Sequence, residues 1–534
     1  MRAVALSGRR PAAVARAFAG ALCGLWAAAA PAGAAPPELD VRALARGYAL
    51  ETPPELLVSR LRTAAAPPED PDGFVAPQLV LEARVHHRPM PRFAWFLGVD
   101  TGLVEYLERE GSSPILADGL PIGERAAETG LLGEVGASVQ IGPSGVVELT
   151  GGRLRRRLAE GALYDAYGLG IEVDADLELV DPELPVRLRL LALLPNASFT
   201  ERGKRSPLFD LEAEFAVAPR DRLRLFFAVA RDDAADPLAV PEGALVRGAL
   251  SRLEEGRAAV LPRLPAGLVP LADRLFDRLS GRLRLAGATA DTVELVTEGW
   301  LGWAGVAYAL RRPGFELELL GVLGLGELEA RLGPSLAFEV EAADLFGDGA
   351  GVVADTQRRS GPVELLSGLV QATGRARITP QVDARAFAVW MSGDDGFTVE
   401  PRGRSRYGSF IGVAPALLFT SLFFGAASVA DRADAAPSSP SPDGAGLVAG
   451  GAAVEAYPTD RIRVDAGLAV MASTVDGPEG ARLYGLEGNL AADALVDETW
   501  SVHLDLAAFV PMGYFGPLST ALQGVVAVAA QWSL

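Results

Sequence analysis

The sequence predicts an all-β protein, a transmembrane antiparallel up-and-down β-barrel with a helical insertion. Three observations predict this fold. Many strand-length segments alternate apolar and charged residues, a secretory signal opens the chain, and its last residues alternate up to an apolar end. A membrane strand needs roughly 9–11 residues, so with turns and loops we expect about 16–18 strands.

The overall charge argues against binding to nucleic acid. The chain has 534 residues and a formal net charge of −19, whereas a nucleic-acid binder needs a basic surface to neutralise phosphates. One cysteine, Cys23, and three histidines leave little material for a disulfide framework or a histidine metal centre. We therefore expect neither a metal site nor a cofactor.

The first 34 residues have the pattern of a cleaved secretory signal peptide. A positive segment that ends at Arg16 precedes an apolar run over residues 17–30, and Ala32-Gly33-Ala34 offers a cleavage site. The alternative is an uncleaved membrane anchor, although the apolar run is short for a spanning helix. Export of this kind fits the bacterial outer membrane, with outer-membrane lipid as a partner.

The first charged hairpin shows how the charges are arranged. Between Ile171 and Leu179, acidic residues occupy every second position, and after a turn Arg187 and Arg189 occupy every second position. The acids are Glu172, Asp174, Asp176 and Glu178. We expect Glu178 opposite Arg187 and Asp176 opposite Arg189, so that opposite charges meet on one face.

The same alternation recurs along the chain. Asp210, Glu212 and Glu214 precede a turn, and Arg222 and Arg224 follow it. A single hairpin of this kind would also fit a half-exposed strand of a soluble sandwich. A charge on the lipid-facing side near the bilayer midplane costs roughly 2–4 kcal/mol, so many such hairpins predict charged rows that face a barrel lumen.

The end of the chain predicts a closing strand. Apolar residues occupy the even positions from Leu522 to Leu534, with Trp532 next to the end. This pattern is similar to the last strand of bacterial outer-membrane barrels, which the barrel assembly machinery reads, although that strand usually ends in an aromatic residue. The alternative is an ordinary C-terminal core strand.

Three regions break the strand pattern. Residues 35–75 predict a periplasmic N-terminal segment with short helices led by proline pairs, which leaves 76–534 for the barrel. Residues 242–280 carry leucines at helical spacing and predict the helical insertion. Residues 433–445 are rich in proline and serine and predict a mobile extracellular loop.

Catalytic motifs are missing from the sequence. It contains neither G-x-S-x-G nor H-E-x-x-H. Ser501, His503 and Asp505 lie on one face of a predicted strand, but consecutive members would be roughly 6–7 Å apart, too far for a direct relay. We expect a polar lumen row here and no enzyme activity.

The arginines are the better candidates for function. Arg153, Arg155 and Arg157 share one parity and are predicted to line the lumen and the solute path. The remaining candidates for that path are Arg187, Arg189, Arg222, Arg224, Asp174, Asp176 and Glu178. Because guanidinium groups bind carboxylates bidentately, the row would favour organic acids or anionic sugars. The alternative is that an acid on a neighbouring strand neutralises each arginine.

Several short stretches resemble outer-membrane barrels of the alginate-export type. They are Gly152-Arg153, Gly161 to Asp165, Gly170 to Asp174 and Ser392 to Asp395, and porins share this punctuation. The resemblance implies a monomeric barrel whose arginine-rich lumen, with Arg153 and its neighbours, conducts an anionic polysaccharide. The acidic rows depart from a purely basic conduit.

The sequence therefore predicts a passive outer-membrane channel for small or polymeric anionic solutes. We expect a loop or residues 242–280 to gate it. The alternative is a structural or adhesive barrel that does not conduct because its own insertion plugs it.

Overall fold

The fold is described from a computed structural model. The residues it describes are 38–51, 74–104, 134–195, 207–232, 237–238, 257–258, 261–265, 267–277, 293–332, 339–340, 352–353, 361–394, 405–413, 417, 419–420, 423, 439–477, 480–514 and 520–533. The predicted signal peptide, residues 1–34, lies outside them.

The described residues contain 22 strands, most of them long enough to cross a membrane. The first half of the chain contributes β1 (Glu38–Glu51), β2 (Phe74–Met90), β3 (Phe93–Val104), β4 (Val135–Ile141), β5 (Val147–Leu158), β6 (Tyr164–Asp176), β7 (Val186–Pro195), β8 (Leu208–Ala218), β9 (Asp221–Asp232), β10 (Pro237–Leu238) and β11 (Val293–Arg312). The second half contributes β12 (Phe315–Leu332), β13 (Glu339–Val340), β14 (Val352–Val353), β15 (Gly361–Thr379), β16 (Val382–Met391), β17 (Ser405–Tyr407), β18 (Leu447–Thr459), β19 (Ile462–Ala472), β20 (Leu483–Leu495), β21 (Trp500–Pro511) and β22 (Ala521–Ser533).

The main sheet closes on itself. It has 20 strands, of which the short β10 and β17 are additions that pair with β11 and β15. The remaining eighteen pair antiparallel in chain order, and β1 pairs with β22 from Asp40 opposite Ser533 to Glu51 opposite Leu522. This ring confirms the predicted up-and-down barrel and its strand number.

The two ends of the barrel differ in the length of their connections. At one end, which we define as the short-turn end, two-residue turns lie at 91–92, 219–220, 313–314, 380–381 and 460–461. At the other, the long-connection end, the segment between β16 and β18 alone spans residues 392–446. Outer-membrane barrels have this asymmetry, with short turns on the periplasmic side and longer loops outside.

The outer face of the barrel is apolar. Ile171, Leu190, Leu211 and Phe227 are each more than half exposed on this face. Trp500 is also exposed, just after the turn at residues 496–499, where interfacial aromatic residues of membrane barrels lie. An apolar band of this kind matches a lipid environment.

The apolar core lies inside the barrel, in its long-connection half. Trp303, Tyr164, Phe410 and Tyr484 are fully buried there. Part of this core comes from residues 405–413 and from Leu417, which follow β16 and fold back between the strands.

A short helix at residues 269–277 lies within the predicted insertion and confirms a helical element there. Arg257 bonds to Asp273 over 2.7 Å and to Asp277 over 3.0 Å. Across the part of the chain that is described, no helix is both long enough and apolar enough to pass through a bilayer.

The N-terminal segment corrects one prediction. Residues 38–51 form β1, not a short helix, and belong to the barrel wall because they bridge β2 and β22. The signal was present: apolar Leu39, Val41 and Ala43 alternate with Glu38 and charged partners, a period of two that the proline pair obscured. The second proline pair, at 53–54, lies outside the described residues.

The described part of the proline- and serine-rich stretch corrects a second prediction, that of a mobile loop. Residues 439–445 are packed and not loose: Ser441 is 2 % exposed, and Ala445 is fully buried. The hydroxyls of Ser439 and Ser441 are 2.9 Å apart, and the Tyr484 hydroxyl donates to the Gly446 carbonyl over 2.8 Å. Residues 433–438 lie outside the described part.

Candidate functional site

The inner face of β7 and its neighbours carries paired charges. Arg187 makes a bidentate contact with Asp174, with a shortest distance of 2.6 Å. Arg189 reaches Glu212 at 2.7 Å and Asp210 at 3.3 Å. Asp210 and Glu212 are buried while Phe209 and Leu211, which alternate with them, are exposed. The acids therefore point into the barrel.

The basic partners on β9 are also paired. Arg224 forms an ion pair with Glu160 and lies 4.0 Å from Glu212. Arg222 lies 3.5 Å from Glu214. Each of these two arginines has an acidic partner within 4 Å. This agrees with the alternative interpretation of the sequence, in which acids neutralise the arginines.

The predicted pairing between β6 and β7 is wrong by two residues. Arg187 lies opposite Asp176, and Arg189 opposite Asp174. Strand β6 ends at Asp176, and Glu178 lies in a 3₁₀ turn at Leu177–Leu179. The Asp176 carboxylate caps this turn by accepting a hydrogen bond from the Glu178 N–H. A shift of two residues keeps every side chain on its predicted face, so only the partners change.

The arginine run in β5 corrects the predicted row more strongly. Arg153, Arg155 and Arg157 share the parity of Leu149, which is exposed on the outer face. The inner positions of β5 are the alternate ones, where Arg156 makes a bidentate contact with Glu172 at 2.7 and 3.1 Å. The triplet therefore does not join the lumen row, because its parity in β5 is the apolar one.

A second charged cluster lies in the short-turn half of the lumen. It centres on two buried acids, Asp383 and Glu455, each 3 % exposed. Arg375 contacts Asp383 at 2.5 Å and Glu455 at 3.2 Å, and Arg463 contacts Glu455 at 3.4 Å. Tyr457 donates its hydroxyl to Glu455 over 2.6 Å.

The cluster continues toward β21. Arg463 contacts Asp493 at 2.5 Å, and His503 Nδ1 lies 2.6 Å from the other oxygen of Asp493. Arg385 forms ion pairs with Asp465 and Glu455. His503 is thus part of a lumen row, as the sequence predicts.

The segment after β16 narrows the lumen, and we define its described residues, 405–413, 417, 419–420 and 423, as the inserted segment. The Trp303 indole N–H donates to the Ile411 carbonyl over 2.9 Å, and the Val413 N–H donates to the Leu163 carbonyl over 2.9 Å. These two bonds attach the segment to β11 and to the connection between β5 and β6. The sequence expected a loop or residues 242–280 to occupy this place.

The far end of the inserted segment is held by Glu487. Its carboxylate accepts from the Thr420 hydroxyl and from the Phe423 N–H, both at 2.7 Å. Phe419 stacks on Phe387 of β16, with ring centroids 4.6 Å apart and planes 8° from parallel. The segment is therefore fixed to strands on both sides of the lumen.

The connection between β5 and β6 also turns inward. Ala159 and Glu160 have φ of 48° and 53°, values that non-glycine residues rarely adopt. This backbone brings the Glu160 carboxylate to Arg224 and buries Ala162 and Leu163 against the inserted segment. Backbone strain of this kind persists where surrounding contacts hold it.

A cavity of about 500 Å³ lies beside the inserted segment. Its wall combines aromatic rings, Phe387 and Phe419, with carboxylates and guanidiniums from five strands. The charged residues of the wall are Glu316, Glu318, Asp465, Asp505, Arg375 and Arg385. Small-molecule sites have volumes of this order.

The sequence missed several residues of this lumen. Glu455 and Glu487 have no charged residue two positions away on either side, and Asp383 has only Arg385, so no long run of alternating charge marks these acids. Period-two parity from the neighbouring strands would have placed Glu455 inward. The role of Glu487 depends on the inserted segment, which no local pattern predicts.

No family model matches the chain, and no curated protein matches it in sequence. Among solved structures, it is similar to Pseudomonas aeruginosa OpdL (9% identity, TM-score 0.48, covering 93% of this chain and 99% of that one). A BenF-like porin from Pseudomonas fluorescens Pf-5 has 8% identity, a TM-score of 0.48 and coverage of 93% and 99%.

The outer membrane protein OpdK from Pseudomonas aeruginosa has 9% identity, a TM-score of 0.47 and coverage of 93% of this chain and 99% of its own. None of these three is described as an alginate exporter. The resemblance to alginate-export barrels stays a prediction.

Proposed function

We propose that this protein is an outer-membrane channel through which small polar solutes diffuse passively. The observation that carries the proposal is the lumen itself. Charged inner faces of the strands lead to a cavity of about 500 Å³ beside the inserted segment, and the outer face is apolar. Among membrane barrels, a polar interior is typical of water-filled channels.

The size of the cavity favours small solutes. A volume of about 500 Å³ is that of a site for a small organic molecule. The inserted segment reduces the width of a ring of this strand number, which would otherwise enclose a wide aqueous lumen. We therefore place small solutes ahead of polymers such as an anionic polysaccharide.

The charge preference of the channel stays a prediction. The sequence favours anionic solutes because arginines bind carboxylates, and Arg187, Arg189, Arg222 and Arg224 lie on the inner face. Each of them has an acid within 4.0 Å. An anionic solute would therefore have to compete with these carboxylates for the guanidinium groups as it passes.

Localisation and partners follow from the same proposal. The predicted signal peptide would export the chain, and the assembly machinery would insert it by its closing strand β22. The apolar band would contact outer-membrane lipid, with the short-turn end in the periplasm and the long-connection end outside.

The competing function is a barrel that does not conduct. One observation favours it: the inserted segment, with Phe410, Ile411 and Val413 each 1 % exposed, packs as a core inside the lumen. In that case the plug is the inserted segment and not the insertion at 242–280, which the sequence predicted.

Conductance in a planar bilayer distinguishes the two functions. The refolded protein is added to a bilayer under a salt gradient, and folding is checked by its heat-dependent mobility on a gel. Stable current steps support the channel, and the sign of the reversal potential reports the preferred ion. A folded barrel that gives no steps contradicts the channel and favours the plugged barrel.

A further inference from the structure

The arginine run of β5 faces away from the lumen, where no solute path can use it. Arg153, Arg155 and Arg157 continue the outer row that begins with Val147 and Leu149. Successive members of such a row are roughly 6–7 Å apart along the strand. Three guanidiniums therefore follow directly on the apolar band, toward the long-connection end.

The position of the row makes sense only at the edge of the bilayer. A lipid-facing arginine costs roughly 2–4 kcal/mol at the midplane and about 0–1 kcal/mol near the interface. Tyr167, an interfacial residue type, lies beneath Arg153, whose guanidinium carbon is 5.2 Å from the ring centroid. Both points favour a place for the row at the level of the lipid headgroups.

Local acids neutralise only part of the row. Arg155 contacts the buried Asp165 at 3.3 Å, whereas Arg157 donates to a backbone carbonyl, that of Glu160, at 2.9 Å. The Glu160 carboxylate is directed inward to Arg224. Glu134 accepts from the backbone N–H of Arg155 and lies 3.8 Å from the inward Arg156. The outer row keeps a surplus of positive charge in a chain whose net charge is −19.

We propose that Arg153, Arg155 and Arg157 form a docking surface for the phosphorylated headgroup of an anionic lipid in the leaflet at the long-connection end. Guanidiniums bind phosphate through paired hydrogen bonds, and basic clusters beside an apolar span recognise anionic headgroups. The acyl chains of such a lipid would lie along exposed Leu169 and Ile171 of β6, the neighbouring strand.

The proposal shares with the proposed function only the placement of the barrel in a membrane. It does not depend on conduction, so a barrel that passes no current can still bind the lipid. Conversely, loss of lipid binding leaves the conductance steps unchanged in a bilayer made of uncharged lipid. The two proposals therefore fail separately.

The test is a titration of lipid A with two phosphates into the refolded protein in detergent, followed by native mass spectrometry. The triple variant R153Q/R155Q/R157Q is compared with R92Q/R220Q/R461Q, which removes the same charge from exposed turns at the short-turn end. We expect binding by the β5 variant to weaken on the order of 10- to 100-fold, and the turn variant to bind like the parent. The variant R153K/R155K/R157K keeps the charge but loses the planar fork, and should fall between them.

Two further arms identify the ligand. Lipid A without its phosphates should bind the parent as weakly as intact lipid A binds R153Q/R155Q/R157Q. Inorganic pyrophosphate should compete poorly, because it lacks the chains that contact β6. Equal binding of lipid A by R153Q/R155Q/R157Q and R92Q/R220Q/R461Q overturns the proposal. Full competition by pyrophosphate overturns it as well. A difference in gel mobility between unheated and heated samples confirms that each variant is folded. A loss of binding can then be assigned to the arginines.

Discussion

The indole N–H of Trp303 donates a hydrogen bond to the backbone carbonyl of Ile411 over 2.9 Å, and both side chains are about 1 % exposed. This bond joins the barrel wall to the inserted segment in the apolar half of the lumen. A buried carbonyl left without a donor costs about 1–3 kcal/mol. The bond therefore helps to decide whether the segment stays across the lumen.

Replacing Trp303 by Phe should loosen the segment. The variant leaves the Ile411 carbonyl without its donor, so we expect larger or noisier conductance steps in a planar bilayer. Trp300→Phe is the control, because Trp300 lies three residues away on the outer face and is 47 % exposed. Unchanged steps in both variants would show that this contact does not control the opening.

Glu487→Ala should release the other end of the segment. The variant removes the acceptor for the Thr420 hydroxyl and the Phe423 N–H, both at 2.7 Å, so we expect faster proteolysis within 405–423 while the barrel remains folded. Glu498→Ala, in the exposed turn 496–499, is the control. Equal cleavage of the two variants and the parent would argue that Glu487 does not hold the segment.

Neutralising the acids of the short-turn cluster should move the channel toward anions. In D383N/E455Q, Arg375 loses its carboxylate contacts at 2.5 and 3.2 Å, and Arg463 loses its contact with Glu455 at 3.4 Å while it keeps Asp493. We expect the reversal potential under a salt gradient to shift in the anion-selective direction. D181N/E183Q removes the same charge from an exposed turn and should shift it less. A shift of the opposite sign would contradict the placement of these acids on the conduction path.

A charge on the outer face should destabilise the barrel. Leu190 is 51 % exposed on this face and lies between inward Arg189 and inward Leu191. Leu190→Arg should lower the free energy of unfolding from lipid vesicles by about 2–4 kcal/mol, as measured by denaturant titration. Val180→Arg, in the turn after β6, should have little effect. Equal stability of the two variants would mean that Leu190 does not face lipid.

Disulfide cross-linking tests the register between β6 and β7. Residues directly opposite each other have Cβ atoms about 4.5–5.5 Å apart, close to what a disulfide requires. In a background without Cys23, D176C/R187C should oxidise readily, and E178C/R187C should not. Mass spectrometry of the oxidised protein distinguishes the two. Efficient bonding of the second pair would restore the register that the sequence predicted.

The barrel was predictable because its signal is repeated. Period-two alternation with a single charged face, as in Asp210 and Glu212 against Phe209 and Leu211, recurs in strand after strand. The same alternation runs through β1, but the proline pairs before and after it favour a helical interpretation.

The contents of the lumen were less accessible from sequence. Whether Arg153 or Arg156 faces inward depends on which parity of β5 continues the apolar band, and the run Arg155-Arg156-Arg157 contains both parities. Hydrogen bonds such as that from Trp303 to Ile411 join residues distant in sequence. A local pattern carries no information about such pairs.

The pairing of β1 with β22 has a consequence for biogenesis. Asp40 meets Ser533 across this seam, so the wall cannot be sealed until the last strand has been made. Closing so large a loop of chain is entropically costly, and folds dominated by distant contacts form slowly. Until then every intermediate has two open sheet edges, which are templates for aggregation. The open edges must therefore be shielded from other copies of the chain until β22 pairs with β1. Closure of this seam removes the need for that shielding.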